Sequence, residues 1–376
     1  MNGRLQLTEQ VQQLNERIAA HVTQIDELKS DVAQLRRAFR SQASKTQRLL
    51  PPRLAERMRV TNRLARIAAG NRPIVVGPWT GEVGYELLYW VPFVRWFVRQ
   101  YRVHPRRLRV VSRGGPVSWY GDLATQYADV LSFLSPDEFR QREGARAWMK
   151  QDQVTGFDRQ ILRRLLPAFG GGRFSLLHPS LMYPLFKGYW GARTALNEML
   201  GAMEHVRLRP PSAIPSLPRK YVAVRFYFRS SFPDTPDNRA VVSRTLAALT
   251  ANSDVVVLNP GFRVDDHDDC GVERSDRIHT IDHLLTPERN LDVQTAAIAH
   301  AEAFVGSYGG YSYLAPLFGV PSLAFYSVKT FKTCHLELAE HVFDRIGGGT
   351  LTVVNTADVD LLGAPLAGMH PWPGES

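Results

Sequence analysis

Between residues 7 and 39, apolar side chains recur on a heptad. Val11, Ile18, Ile25, Val32 and Phe39 take the a positions, and Leu7, Leu14, His21, Leu28 and Leu35 the d positions. β-Branched residues at a with leucine at d predict a parallel two-stranded coiled coil, hence a parallel homodimer through residues 7–39. His21 is the one polar residue of the seam, either a register marker or a tolerated defect. Pro51-Pro52 ends the helical pattern. Beyond residue 71 the pattern changes to short apolar runs alternating with helical stretches. The runs predict strands at 73–76, 109–112, 221–224, 254–258, 277–280, 303–305 and 323–326. Helices are expected from about Tyr85, near 156–168 and 190–204, at 238–250 and 293–301, and through Tyr313 to Leu317. Such alternation predicts parallel sheets with helices on both faces. The proline-rich segment 209–218 reads as a linker between two α/β halves. The expected organisation is a coiled coil over 1–50, a basic connector over 51–71, and α/β domains over 72–215 and 216–376. A ligand cleft belongs at the carboxyl ends of the strands.

Composition narrows the class. The chain has 376 residues, 44% of them hydrophobic, enough for ordinary globular cores. No apolar stretch approaches the ~18 residues of a membrane span. The first residues, MNGRLQLTEQVQQL, contain no apolar signal core. Two cysteines, Cys270 and Cys334, make no disulfide framework and fit a reducing cytoplasm. The net charge of +10 is unevenly spread. From Arg36 to Arg66 basic residues recur every few positions, with Glu56 the only acid among them. A second cluster runs from Arg95 to Arg113. Such tracts attract polyanions or form solvated helix faces. An anionic membrane surface is the expected partner of residues 36–66. Nucleic acid is not expected, because the tract lacks interleaved aromatics.

Candidate chemistry gathers at strand ends. After the first strand, Gly77 to Gly84 form a glycine loop carrying Glu82, with Glu86 a turn further on. Either carboxylate is a candidate general base; otherwise Glu86 complements the helix dipole and Glu82 is a loop charge. The strand at 221–224 runs into Arg225 and Arg229, whose planar forks match phosphate oxygens. The alternative is an ion pair with Asp234 or Asp237. Late in the chain, Ser307-Tyr308-Gly309-Gly310-Tyr311-Ser312 links a strand to a helix, and Gly319-Val320-Pro321 leads to the next strand. That βαβ unit either seats a phosphate at the helix N-terminus or needs glycine only to turn. The run Asp265 to Cys270 reads as a solvated loop, with no metal expected. His178 and His279 read as structural.

Together these features resemble GT-B glycosyltransferases, in particular inverting enzymes of the heptosyltransferase and bacterial fucosyltransferase kind. The resemblance spans roughly residues 72–356 as a pattern of elements. It implies two Rossmann-like domains, the acceptor on the N-terminal one and a nucleotide-sugar donor on the C-terminal one. Gly81-Glu82-Val83-Gly84 stands where heptosyltransferases carry their base loop. Arg225 and Arg229 stand where fucosyltransferases grip the donor diphosphate, with Ser307 to Ser312 as the late donor loop. The heptosyltransferase aspartate is a glutamate here, and no aspartate accompanies the late glycines, so the nucleotide is not carried over. The resemblance implies metal-independent inverting transfer to a glycan or lipid-linked acceptor, in envelope polysaccharide synthesis, with no cofactor. Cysteine usage places the protein in the cytoplasm, and the basic tract makes it a candidate for peripheral binding on the inner membrane face. Polysaccharide pyruvyltransferases share the two-half plan, with Lys329 the residue of interest. A non-catalytic nucleotide-sensing scaffold is the third alternative.

Overall fold

The computed structural model describes His21 and residues 24–35, 51–123, 125–144, 151–265, 267–272 and 274–362. The chain divides into two compact units, residues 1–61 and 62–376. In the first, His21 and residues 24–35 are helical. Ile25, Leu28, Val32 and Leu35 are exposed on that helix. The rest of the heptad segment, and residues 36–50 of the basic tract, lie outside the described residues. The helix Pro52–Ala69 straddles the boundary between the units. Within the second unit its Leu64 and Ile67 are buried. Arg107 donates to the carbonyls of Ala68 at 2.7 Å and Ile67 at 3.3 Å. Its final turns are therefore packed structure, where the sequence suggested only a connector.

The second unit holds two parallel sheets. The first has the order β3-β2-β1-β4, with β1 at Ile74–Val76, β2 at Leu108–Ser112, β3 at Tyr127–Asp129 and β4 at Ser175–Leu177. The second has the order β12-β11-β10-β5-β7-β9. Its strands are β5 (Val222–Arg225), β7 (Val255–Val257), β9 (Ile278–Thr280), β10 (Ala303–Ser307), β11 (Ser322–Tyr326) and β12 (Leu351–Asn355). Every pairing in both sheets is parallel. The strands β1, β5 and β7 are short runs of valine, isoleucine and alanine, with Arg225 closing β5, and are buried throughout, as expected when helices cover both faces.

Each half has its own core. Val222, Val224, Val255, Val257, Val305 and Phe325 form one with Val242 and Leu246 of the helix Pro236–Asn252. Val75, Val111 and Val130 form the other with Ile161, Leu162 and Leu165 of the helix Gly156–Leu165. Val264, from the C-terminal half, inserts into this N-terminal core.

Two local expectations are corrected. The stretch 190–204 is not one helix: Tyr183–Trp190 and Leu196–Leu200 are separate helices. Gly191 and Ala192, the latter with φ +54°, break the chain between them. Nor is the acidic run simply a solvated loop, although Asp268 is exposed and Asp266 lies outside the described residues. Asp268–Asp269 forms β8, antiparallel to β6 at Tyr227–Phe228, and Cys270 is buried in the core.

Candidate functional site

The loops leaving β1, β2, β5 and β10 meet where the two halves face each other. After β1, Gln151 pins the backbone of the glycine loop. Its Oε1 accepts from the amides of Thr80 and Gly81 at 3.1 Å each, and its Nε2 donates to the Pro78 carbonyl at 2.8 Å. Glu82 projects from this loop and accepts from Arg229 Nη2 at 2.8 Å. Both side chains are about two-fifths exposed, at 40% and 39%. The first candidate base and one candidate phosphate ligand are therefore joined directly across the halves.

Glu86 is elsewhere. The helix that begins at Val83 widens into a π-helical turn over Glu86–Trp90 and buries all five residues. Ser112 Oγ and Tyr120 Oη donate to Glu86 Oε1 at 2.6 and 2.7 Å. Burial pushes this carboxyl up to about 7, against the two hydrogen bonds and nearby Arg113, which pull the other way. A fully buried carboxylate is not placed to meet a substrate hydroxyl, so the geometry separates the two glutamates that the sequence left as alternatives.

Arg225 is buried at the end of β5. Its Nε and Nη2 donate to Asp269 Oδ1 at 3.2 and 3.1 Å, and its Nη1 donates to Gln294 Oε1 at 2.5 Å. The guanidinium lies 4.2 Å from the Tyr311 ring centroid, in cation–π contact. Its carboxylate partner is Asp269, not Asp234 or Asp237; Asp234 pairs with Arg239. Because β5 ends at Arg225 and the chain re-pairs as β6, Arg225 and Arg229 do not share one strand face. They engage different carboxylates.

The late loop is also committed internally. Ser307 Oγ accepts from the Tyr227 amide at 3.0 Å and donates to the Tyr227 carbonyl at 2.9 Å. Tyr308 hydrogen-bonds Tyr313 and packs against Phe331 with the rings tilted by 48°, 4.2 Å between centroids. At the start of the helix Gly310–Leu317, Ser312 Oγ accepts from the Gly309 amide at 3.3 Å and donates to the Gly309 carbonyl at 2.7 Å. A Cβ on Gly310 would lie 2.7 Å from the Gly84 nitrogen and 2.8 Å from Val83 Cβ. The two glycine loops thus lie backbone against backbone. What approaches the glycines of one half is the glycine loop of the other, at the helix end where a phosphate was expected.

A third arginine joins the group. Arg113 follows β2 and is 1% exposed. Its Nη2 donates to the Gly81 carbonyl at 2.8 Å and to Asp265 Oδ1 at 2.7 Å. Gly114 and Gly115 come next, with φ of +78° and +80°. They let the chain fold against the helix start at 290, where the Leu291 amide donates to the Gly114 carbonyl at 2.6 Å. The sequence reading counted Arg113 only as part of a charge cluster. The signal that singled out Arg225, an arginine at the end of a buried strand, applies equally to Arg113.

Nearby, His335 joins Tyr85 Oη at 3.0 Å through Nε2 and Tyr89 Oη at 2.5 Å through Nδ1. Burial, with the charge of Lys332, pushes its imidazole down to about 4. The ring is therefore neutral near pH 7 and bridges one tyrosine as donor and the other as acceptor. Among the described residues, no group of three or more His, Cys, Asp or Glu is arranged to hold a metal ion. None of the described helices is long and apolar enough to cross a membrane.

No family model matches the chain, and no curated protein matches it significantly. Among solved structures it is similar to the iron-containing dodecameric glycosyltransferase TibC of enterotoxigenic E. coli H10407, at 15% identity and a TM-score of 0.36, over 68% of this chain and 58% of that one. TibC solved as a heptosyltransferase in complex with ADP-D-beta-D-heptose gives the same identity and TM-score, over 59% of its length. A glycotransferase of kitacinnamycin matches at 11% identity and a TM-score of 0.33, over 79% of this chain and 90% of that one. The chain thus spans less than two-thirds of the TibC length.

Proposed function

We propose that this protein is a sugar-nucleotide-dependent glycosyltransferase of GT-B architecture. The observation that carries the reading is the Glu82–Arg229 pair, which sets a carboxylate from one sheet's strand ends against a guanidinium from the other's. Parallel α/β halves bind ligands at this end of their strands. In the proposed reaction Glu82 takes the proton of an acceptor hydroxyl. The freed oxygen attacks the anomeric carbon, and the bond from that carbon to the nucleotide's phosphoryl oxygen breaks, with inversion. The leaving diphosphate carries away the electron pair, and Arg229, with Arg225 and Tyr311 behind it, stabilises the charge. No metal is assigned to this step. The acceptor is proposed to be a glycan or lipid-linked saccharide of envelope polysaccharide synthesis. A thermal-shift screen of UDP-, GDP-, ADP-, CMP- and dTDP-sugars tests donor binding. A donor at ~100 times its dissociation constant stabilises the fold by ~2.7 kcal/mol, a shift that Arg229→Ala is expected to diminish. No shift with any of the five classes contradicts the reading.

Two further elements belong to the proposal. The heptad helix, with Ile25, Leu28, Val32 and Leu35 exposed, forms a parallel dimer. The basic tract, including exposed Arg53, Arg59, Arg63 and Arg66, docks on anionic lipid. Light scattering that finds a monomer removes the first element. Equal flotation with neutral and phosphatidylglycerol vesicles at low salt, or phosphatidylglycerol binding that salt does not weaken, removes the second.

A further inference from the structure

Three arginines and three carboxylates are interleaved at the junction of the halves. Arg225 is held by Asp269, Arg229 by Glu82, and Arg113 by Asp265. The pairs differ in how firmly the carboxylate is fixed. Asp269 lies in β8, and both Nε and Nη2 of Arg225 donate to it. Glu82 and Asp265 lie on loops. Asp265 is 24% exposed, whereas Arg113 beneath it is 1% exposed.

The backbone explains why Asp265 stands there. Val264 is packed into the N-terminal core with Val111 of β2, the strand that Arg113 follows. The Gly81 carbonyl anchors the same guanidinium at 2.8 Å and aims it. On the far side His267 lies over Tyr227, 4.4 Å between ring centroids. Its buried Nδ1 has no hydrogen-bond partner among the described residues. Burial and the three arginines push this imidazole down to about 4, so it brings no charge of its own near neutral pH. Burial pushes the Asp265 carboxyl up, but the nearby positive charges, that of Arg113 first and those of Arg225 and Arg229 with it, outweigh it and hold the group below its ordinary value. All three arginines therefore act on this one loop carboxylate.

We infer that Asp265 is an exchangeable internal anion on Arg113, occupying the position that a phosphoryl group of a diphosphate ligand takes, and that Arg113 is the third arginine of that seat. The inference rests on the reading of this junction as a sugar-nucleotide site. A diphosphate brings oxygens that accept from Arg113 and Arg229 together. On its arrival the Asp265 carboxylate swings to solvent about the fixed Val264, and Glu82 is released from Arg229. Displacing the internal anion costs the ligand part of its binding energy, because the two anions compete for one guanidinium, so removing the Asp265 charge should tighten binding.

Calorimetric titration with inorganic pyrophosphate tests this without a choice of nucleotide. Asp265→Asn preserves shape and removes the competing charge, and should bind pyrophosphate at least about tenfold more tightly than wild type, an equilibrium ratio equivalent to ~1.4 kcal/mol. Arg113→Lys keeps the buried charge but loses the fork. It should weaken binding, and adding it to Asp265→Asn should abolish the gain. Unchanged or weaker binding by a folded Asp265→Asn protein overturns the inference, as does absence of pyrophosphate binding in both wild type and Asp265→Asn. A tightened Asp265→Asn protein that transfers sugar from no nucleotide leaves the exchange standing and removes the glycosyltransferase reading. Transfer that is indifferent to Asp265→Asn and Arg113→Lys does the reverse.

Discussion

Glu86 has no exposed surface, and its burial outweighs the pull of Ser112, Tyr120 and Arg113. Its folded-state value of about 7 lies above the ordinary 4.5 of an unfolded glutamate. Between those values the folded chain binds a proton that the unfolded chain does not. By linkage, its contribution to stability is complete below about pH 4.5 and is lost as pH rises through about 7, at ~1.4 kcal/mol per unit. Asp129, raised by burial to about 6, acts in the same direction at lower pH. The buried imidazoles of His205, His267 and His335, each pushed down to about 4, act in the opposite direction between there and their ordinary value. The difference between wild type and Glu86→Gln isolates the glutamate. Denaturant melts at pH 5 and pH 8 should show the variant gaining on wild type by roughly 2–3 kcal/mol as pH rises. A pH-independent difference contradicts the burial account.

At the scale of elements, the glycine loops bind the halves together. Gly84 meets Gly310, and Gly114 and Gly115 meet the segment 288–292. Gly310→Ala would drive a methyl group into Val83 and the Gly84 backbone. Overpacking of this kind costs typically 1–3 kcal/mol, so the variant should melt several degrees lower. An unchanged melting temperature would mean that the loops separate at no cost. The strands were readable because β1, β5, β7 and β10 each contain an apolar run of at least three residues, at 74–76, 222–224, 255–257 and 303–305. Glu82 and Arg229 were readable as residues at strand ends. Their pairing was not, since it joins positions 147 apart in the chain. Asp265 and Asp269 were misread because adjacent acids look solvated. What fixes them is Val264 in a distant core and a two-residue strand that pairs with Tyr227 and Phe228. The π-helical turn at Glu86–Trp90 also leaves no periodic signature, because all five residues are buried.

At the scale of the molecule, two parallel sheets present their strand ends to one junction, and each arginine there already has a carboxylate partner. A transferase on this plan must break Glu82–Arg229 to work, which makes Glu82 available as a base when the donor occupies Arg229. A scaffold would have no reason to part them. The deciding measurement is nucleotide release from the sugar-nucleotide panel, with glycan and lipid-linked acceptors present, by wild type and Glu82→Gln. The substitution keeps the side chain's shape and removes the proton acceptor. The account predicts donor-dependent nucleotide release by wild type, and a Glu82→Gln variant that binds the same donor at least as tightly while transfer falls by ~10²–10⁴. Release by Glu82→Gln within tenfold of wild type, or no release from any donor by wild type, would contradict it.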